Sequence, residues 1–375
     1  MNLLKFEKYI NNHIFNYIFN NEIYESAGHP LFNESDDKSL EFISKIKNIF
    51  NIINNKLAIS QDNGKTYIAN FNGKKLNARC YKINILLDKL GFTDIIYSPG
   101  AKLNLIVYDI FNFNKLSNDD YNAIYTGSSG KLIWYSNDKI NKRKFVTDSD
   151  KMEITCYAIN GKILPHSFLP IFLHEYLHFY ENFNRTKSDK HKKFISDLHM
   201  HKSIYNNDKI KNHLEDDELT ALKRILYVLF YGEDSARIGT LFGHLISYNI
   251  ETLRDFHDNK KYIYYFTEYE KLKNYLDIVK NIDDDILFYI FEKSNFFKGA
   301  NKMPKDISSM TPRKVKKWFI DIIELKLKKF YEKGMKFVGR YINMLNNYKD
   351  NNLIYKYTFD EDYNNEFVDN LISEK

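Results

Sequence analysis

The spacing of apolar and polar residues changes midway along the chain. Up to about residue 160, apolar residues alternate with polar ones in short runs such as Thr66–Phe71, Leu103–Ile110 and Met152–Ile159, which predicts β-strands. After residue 161, apolar residues recur every three to four positions, which predicts helices. We therefore expect a strand-rich half followed by a mainly helical half.

Weaker patterns predict the remaining elements of the first half. Two more strands are expected at Asp94–Ser98 and Lys131–Ser136, and a helix near Tyr81–Leu90. Residues 1–25 and 37–58 have helical periodicity. The sheet should therefore be small and should be preceded by helices.

A further helix is expected shortly after the turn residues Asn160-Gly161. Proline is tolerated in a first helical turn, so this helix should begin between Pro165 and Pro170 and run to about Thr186. A strand, a tight turn and a helix thus follow one another directly.

This helix contains the sequence His174-Glu175-Tyr176-Leu177-His178. With 3.6 residues per turn, the two histidines lie on one face and can share a metal ion, while Glu175 lies about 100° round the helix. The flanking residues are uncharged and mostly large, so burying two imidazoles and a carboxylate is costly unless a metal or hydrogen bonds satisfy them. The motif therefore indicates a catalytic zinc site, with a structural histidine pair as the alternative.

An H-E-x-x-H helix that follows a strand resembles the zincin metallopeptidases. The resemblance implies a zincin-like α+β fold: a small mixed sheet plus the active-site helix, followed by a mainly helical C-terminal half. It also implies that the strand 152–159 lies at the rim of the cleft and pairs with an extended substrate. Glu181 and Asn184 occupy the positions where the metzincin branch has Gly and His, so that branch is excluded.

The gluzincin branch takes its third zinc ligand from a glutamate on a later helix. Glu233, Ala236 and Arg237 form an E-x-x-A-R pattern that looks like that glutamate helix, with Arg237 placed to orient the carboxylate. The resemblance thus implies Glu233 as the third ligand. An ordinary acidic first turn is the alternative for Glu233, and His199 and His201 remain other candidate ligands.

The implied activity is that of a zinc-dependent endopeptidase acting on a peptide or protein substrate. Zn2+ held by His174, His178 and Glu233 would lower the pKa of its bound water towards ~7, and Glu175 would act as the general base. The alternative is a structural or cargo protein, such as one from a phage particle, that keeps a zincin fold with a vestigial or structural metal.

Other metal chemistries fit the sequence less well. A di-iron bundle needs a second E-x-x-H, and no other histidine has a glutamate three residues before it. A mononuclear iron triad uses the same ligand types but is not expected from an H-E-x-x-H pair. No P-loop, dinucleotide fingerprint or nucleic-acid-binding motif is found.

Composition places the chain among globular proteins, with 43% hydrophobic and 28% charged residues. No apolar run is long enough to span a membrane, and Met1–Glu7 lacks a signal-peptide core. The two cysteines are too few for a disulfide framework. The cytoplasm, or a particle assembled there, is the expected location.

Four regions are expected along the chain. They are an N-terminal helical segment (1–60), a zincin-like subdomain with the strands and the motif helix (61–187), a helical subdomain with the glutamate helix (188–300), and a long basic helix with an acidic tail (301–375). Between Arg313 and Arg340 the chain has ten basic and three acidic residues. This helix could bind an anionic partner, although a solvated helix face also explains the charge.

Overall fold

The structure is a computed structural model that describes residues 36–60, 65–71, 74–87, 102–111, 128–133, 151–185, 212–230, 234–293 and 310–349. The chain divides into two compact units, residues 1–47 and residues 48–375. The first described helix is α1 (Asp36–Ser60). The sheet and all later helices belong to the second unit.

The described strands form one mixed, six-stranded sheet in the order β1-β2-β3-β5-β4, with β6 paired to the end of β5. Only β3 and β5 run parallel to each other among these pairs. The strands are β1 (Lys65–Phe71), β2 (Lys74–Leu86), β3 (Lys102–Ile110), β4 (Ser129–Ile133), β5 (Lys151–Ile159) and β6 (Lys162–Ile163). The expected small mixed sheet is therefore confirmed.

One sequence prediction for this sheet is wrong. Residues 81–86, expected to be helical, belong to β2 and pair antiparallel with β3. Tyr81, Ile83 and Ile85 are buried while Lys82 and Asn84 are exposed, which is the period of a strand. A short apolar run is ambiguous by itself, and here the pairing with β3 decides its conformation. The strand predicted at 94–98 lies outside the described residues.

The position of β5 within the sheet also differs from expectation. Residues 151–155 pair with β3 on one side and with β4 on the other. The prediction that a substrate pairs with the edge of this strand is wrong, because both edges are already hydrogen-bonded. Among the described strands, β4 lies at the margin of the sheet beside β5.

A tight hairpin connects the sheet to the motif helix. Asn160 and Gly161 have positive φ angles of 48° and 81°, as expected for an Asn-Gly turn. The backbone N–H of Gly161 donates to Oδ1 of the buried Asp109 at 2.8 Å, and that of Ile163 donates to Oδ1 of Asn54 at 3.1 Å. These bonds fix the start of the next helix relative to β3 and α1.

The remainder of the described chain is mainly helical, as expected. The helices are α2 (Pro165–Arg185), α3 (Asp216–Phe230), α4 (Asp234–Ser247), α5 (Leu253–Asn259), α6 (Tyr264–Asn281), α7 (Asp284–Lys293) and α8 (Pro312–Lys349), with a 3-10 turn at Lys260–Tyr262. Helix α2 packs on β4 and β5 and also on α4, while α8 packs on α3, α4, α6 and α7. No described helix is long and apolar enough to cross a membrane.

The long C-terminal helix is confirmed, and part of its basic charge faces the other helices. Nζ of Lys326 donates to the carbonyl oxygen of Leu229 at 2.8 Å, near the end of α3. Nζ of Lys316 lies 2.8 Å from a carboxylate oxygen of Asp284 and also contacts the carbonyl of Ile282. Cations near the C-terminus of a helix bind its last carbonyl groups and interact favourably with the negative end of the helix dipole. The anionic partner stays a prediction.

Candidate functional site

The motif helix α2 is anchored by a ladder of aromatic side chains. The rings of Phe168 and Phe172 stack with centroids 5.2 Å apart, those of Phe172 and Tyr176 stack at 6.0 Å, and Phe50 meets Phe168 edge-on at 5.3 Å. Phe168, Phe172 and Tyr176 recur every fourth residue, so they occupy one face of α2. All three side chains are buried, as is that of Phe50. The ladder holds α2 in a fixed rotation.

The motif residues lie on the one stripe of this helix segment that solvent reaches. Between Ser167 and His178 every side chain is buried except those of Ile171, His174, Glu175 and His178, which are partly exposed. Their spacing places all four on a single helical face. The side chains with metal and proton-transfer chemistry are therefore accessible on a helix segment, Ser167 to His178, that is otherwise mostly buried.

The two histidines meet on this stripe. Their ring centroids are 4.8 Å apart and the ring planes cross at 83°. Because a zinc–nitrogen bond is about 2.0–2.1 Å long, rings this close fit a shared ion. Within the described ranges, no third His, Cys, Asp or Glu completes a metal-binding group with them. Glu233, the predicted third ligand, lies just before α4 and outside the described residues, as do His199 and His201.

Glu175 lies directly against strand β4. A Cβ atom placed on Gly130 would come within 2.6 Å of Cγ and 2.8 Å of Oε1 of Glu175, and within 2.7 Å of Cγ2 of Ile171. The strand can approach the helix this closely only because residue 130 has no side chain. The carboxyl group of Glu175 therefore sits between α2 and the marginal strand of the sheet.

Helix α4 packs against α2 at backbone distance. A Cβ atom on Gly239 would lie 2.6 Å from the carbonyl oxygen of Leu173, and one on Gly243 would lie 2.5 Å from Cα of Pro170. This approach brings the hydroxyl oxygen of Thr240 to 3.1 Å from Nδ1 of His174. The sequence interpretation missed Thr240, although the small residues Ala236, Gly239 and Gly243 signal close helix packing.

Arg237, expected to orient Glu233, lies in a different set of contacts. Its side chain is 6% exposed, and its guanidinium lies over the rings of Tyr227 at 5.9 Å and Tyr264 at 5.5 Å. The buried carboxylate nearby is that of Glu268, which Arg224 contacts at 2.5 Å. Burial favours a raised pKa for Glu268, but the hydrogen bond and charge of Arg224 outweigh it and lower this pKa. An Arg237–Glu233 contact stays a prediction.

Two more histidines lie near the contact between α2 and α4. His166 and His244 both contact the ring of Tyr248, with centroids 4.5 Å and 5.9 Å away. Burial lowers the pKa of His166 to about 4. Burial, assisted by the charge of His166, lowers that of His244 to about 3. Both rings are therefore neutral near pH 7, and that of His244, which is 1% exposed, packs in the core.

Comparison of the chain with protein-family models, with curated proteins and with solved structures finds no match.

Proposed function

We propose that this protein is a zinc-dependent endopeptidase with a zincin-like fold of the gluzincin type. The observation that carries the proposal is the accessible stripe on α2. His174, Glu175 and His178 share it with Ile171, on a helix segment from Ser167 to His178 whose other side chains are buried. A histidine pair that only filled the core would not need to face solvent beside a carboxylate.

The three motif residues of the stripe each have a role in the proposed reaction. His174 and His178 would hold the ion together with Glu233, the ligand that the gluzincin resemblance implies. When bound, zinc supplies a Lewis acid that polarises a carbonyl and makes water a better nucleophile at neutral pH. Glu175 takes up the proton of the attacking water and delivers it to the leaving amine.

Strand β4 is the proposed docking edge for the substrate backbone. It lies at the margin of the described sheet, and Glu175 contacts it at Gly130. A strand at a sheet margin offers backbone N–H and C=O groups to an extended peptide, which can add as a further strand. A peptide bound there would lie beside the carboxyl group that moves the proton.

The test is the variant Glu175→Gln, with Glu218→Gln as the matched control. Glu218 accepts a hydrogen bond from the N–H of Glu215 at 3.0 Å at the start of α3 and has no role in the proposed site. Glu175→Gln keeps nearly the same shape, so zinc content and thermal stability should be preserved. Peptide cleavage should fall by roughly 10²–10⁴-fold, because general acid–base catalysis is worth that much. Glu218→Gln should cleave like the wild type.

The readouts are zinc content by elemental analysis, thermal unfolding, and digestion of a broad peptide library. A folded wild-type protein with no bound transition metal would show the metal site to be wrong. If zinc is bound but Glu175→Gln leaves every measurable function intact, the chain is a zinc-stabilised structural protein.

A further inference from the structure

Thr240, on helix α4, contacts the motif on helix α2. It is 4% exposed, lies in the middle of α4, and its Oγ1 is 3.1 Å from Nδ1 of His174. The short threonine side chain reaches the imidazole because Gly239 and Gly243 let the two helix backbones touch. The hydrogen bond therefore depends on the whole packing of α4 on α2.

The other contact of the hydroxyl group favours one direction for this hydrogen bond. Oγ1 of Thr240 donates to the carbonyl oxygen of Ala236 at 3.4 Å, four residues earlier in the same helix. With its proton directed there, the oxygen accepts from the Nδ1–H of His174. An imidazole protonated on Nδ1 has its lone pair on Nε2, which is the form in which Nε2 can bind a metal.

A second buried hydroxyl in α4, that of Ser247, bonds to its own helix. Oγ of Ser247 donates to the carbonyl oxygen of Gly243 at 2.6 Å, a shorter bond of the same kind. The bond from Thr240 to its own helix is longer, while its contact with the imidazole has ordinary length. The imidazole is thus the main partner of Thr240.

We propose that Thr240 is the positioning residue for His174, setting the Nδ1–H tautomer and aiming Nε2 at the metal. This inference rests on the proposed function for the identity of the metal. The tautomer of His174 does not depend on the proposed function. Metal-binding histidines usually donate their second N–H to a fixed acceptor, and loss of that acceptor typically costs 10–100-fold in metal affinity. In this protein the acceptor is the hydroxyl of Thr240 on α4.

The experiment compares Thr240→Val, Thr240→Ser and Ser247→Ala with the wild type. Valine keeps the volume and removes the hydrogen bond, serine restores the hydroxyl, and Ser247→Ala removes a similar buried hydroxyl without affecting His174. Zinc affinity is measured by competition with a chelator. The tautomer is measured from nitrogen-15 spectra of labelled histidine in the zinc-free protein, with the His174 signals identified by their absence in His174→Gln.

Thr240→Val should bind zinc roughly 10–100-fold more weakly and should lose the Nδ1–H tautomer of His174. Thr240→Ser should restore both, and Ser247→Ala should change neither. If Thr240→Val keeps the wild-type zinc affinity and tautomer, the positioning role is wrong and the proposed function stands. If the wild type binds no zinc, the proposed function is wrong, and the tautomer spectra still decide whether Thr240 orients the ring.

Discussion

Gly130 and Glu175 are in steric contact across the boundary between sheet and helix. No Cβ atom fits at residue 130 without displacing the Glu175 side chain, since Cγ and Oε1 would be 2.6 Å and 2.8 Å away. A general base works only when its oxygen is within hydrogen-bond reach of the proton that it takes up. The strand thereby sets the position of the carboxyl group.

Gly130→Ala should therefore impair cleavage while leaving zinc in place. The new methyl group would overlap the side chains of Glu175 and Ile171 rather than either histidine. A misplacement of the carboxyl group by about 1 Å can cost on the order of 10²-fold in rate. Steady-state kinetics on a cleaved peptide and zinc analysis of the same sample check this. Unchanged kcat/KM would mean that Glu175 is not the proton carrier in this position.

Glu233→Ala tests the third ligand. Removing a direct ligand should weaken zinc binding by more than the ~10–100-fold typical of an outer hydrogen bond. His199→Ala, His201→Ala and Glu218→Ala should bind zinc like the wild type in a chelator competition assay. If a histidine variant loses zinc and Glu233→Ala keeps it, the gluzincin assignment is wrong although the metal site remains.

Acid should destabilise the fold through His166 and His244. In the unfolded chain both titrate near 6.5, whereas in the folded protein their pKa values are about 4 and about 3. Between these values the unfolded state binds more protons, so stability is lost as the pH falls below about 6.5. Each ring contributes on the order of 1 kcal/mol per pH unit in that window.

Urea unfolding at several pH values between 7 and 4 measures this loss. His244→Asn should lower stability at pH 7 but should make its fall with decreasing pH shallower, because one of the two protonations is removed. A pH dependence as steep as that of the wild type would show that His244 is not a source of the acid sensitivity.

Two glycines of α8 should respond in opposite ways to alanine. A Cβ atom on Gly334 would overlap the ring of Tyr265, which stacks on Phe330 at 4.2 Å and donates its hydroxyl proton to the carbonyl oxygen of Phe330 at 2.7 Å. Gly334→Ala should cost about 1–3 kcal/mol by overpacking. Nothing lies within 4 Å of a Cβ on Gly339, so Gly339→Ala should stabilise the helix by about 0.5–1 kcal/mol.

Denaturant titrations of both variants check this pair, and activity should be unchanged in Gly339→Ala. A loss of stability in Gly339→Ala comparable to that in Gly334→Ala would contradict the packing of α8 against α6. Both variants replace glycine by alanine in the same helix. The difference between their stabilities therefore measures the effect of the contact with Tyr265.

The sequence by itself determined the elements that depend on neighbouring residues. The alternation in β3 and β5, the Asn160-Gly161 turn and the prolines near the start of α2 each follow from local backbone preferences or from burial of one face. The spacing of His174 and His178 likewise sufficed to bring their rings together, because a helix places every fourth residue on the same face.

Only the tertiary structure decided the features that join distant segments. The strand at 81–86 exists because β3 pairs with it, and β4 rather than β5 lies at the margin of the described sheet because of the strand order. Thr240 contacts His174 across 66 residues of sequence. Such contacts depend on which elements pack together when their apolar faces are buried. Local periodicity shows that an element has an apolar face but not which other element packs against it.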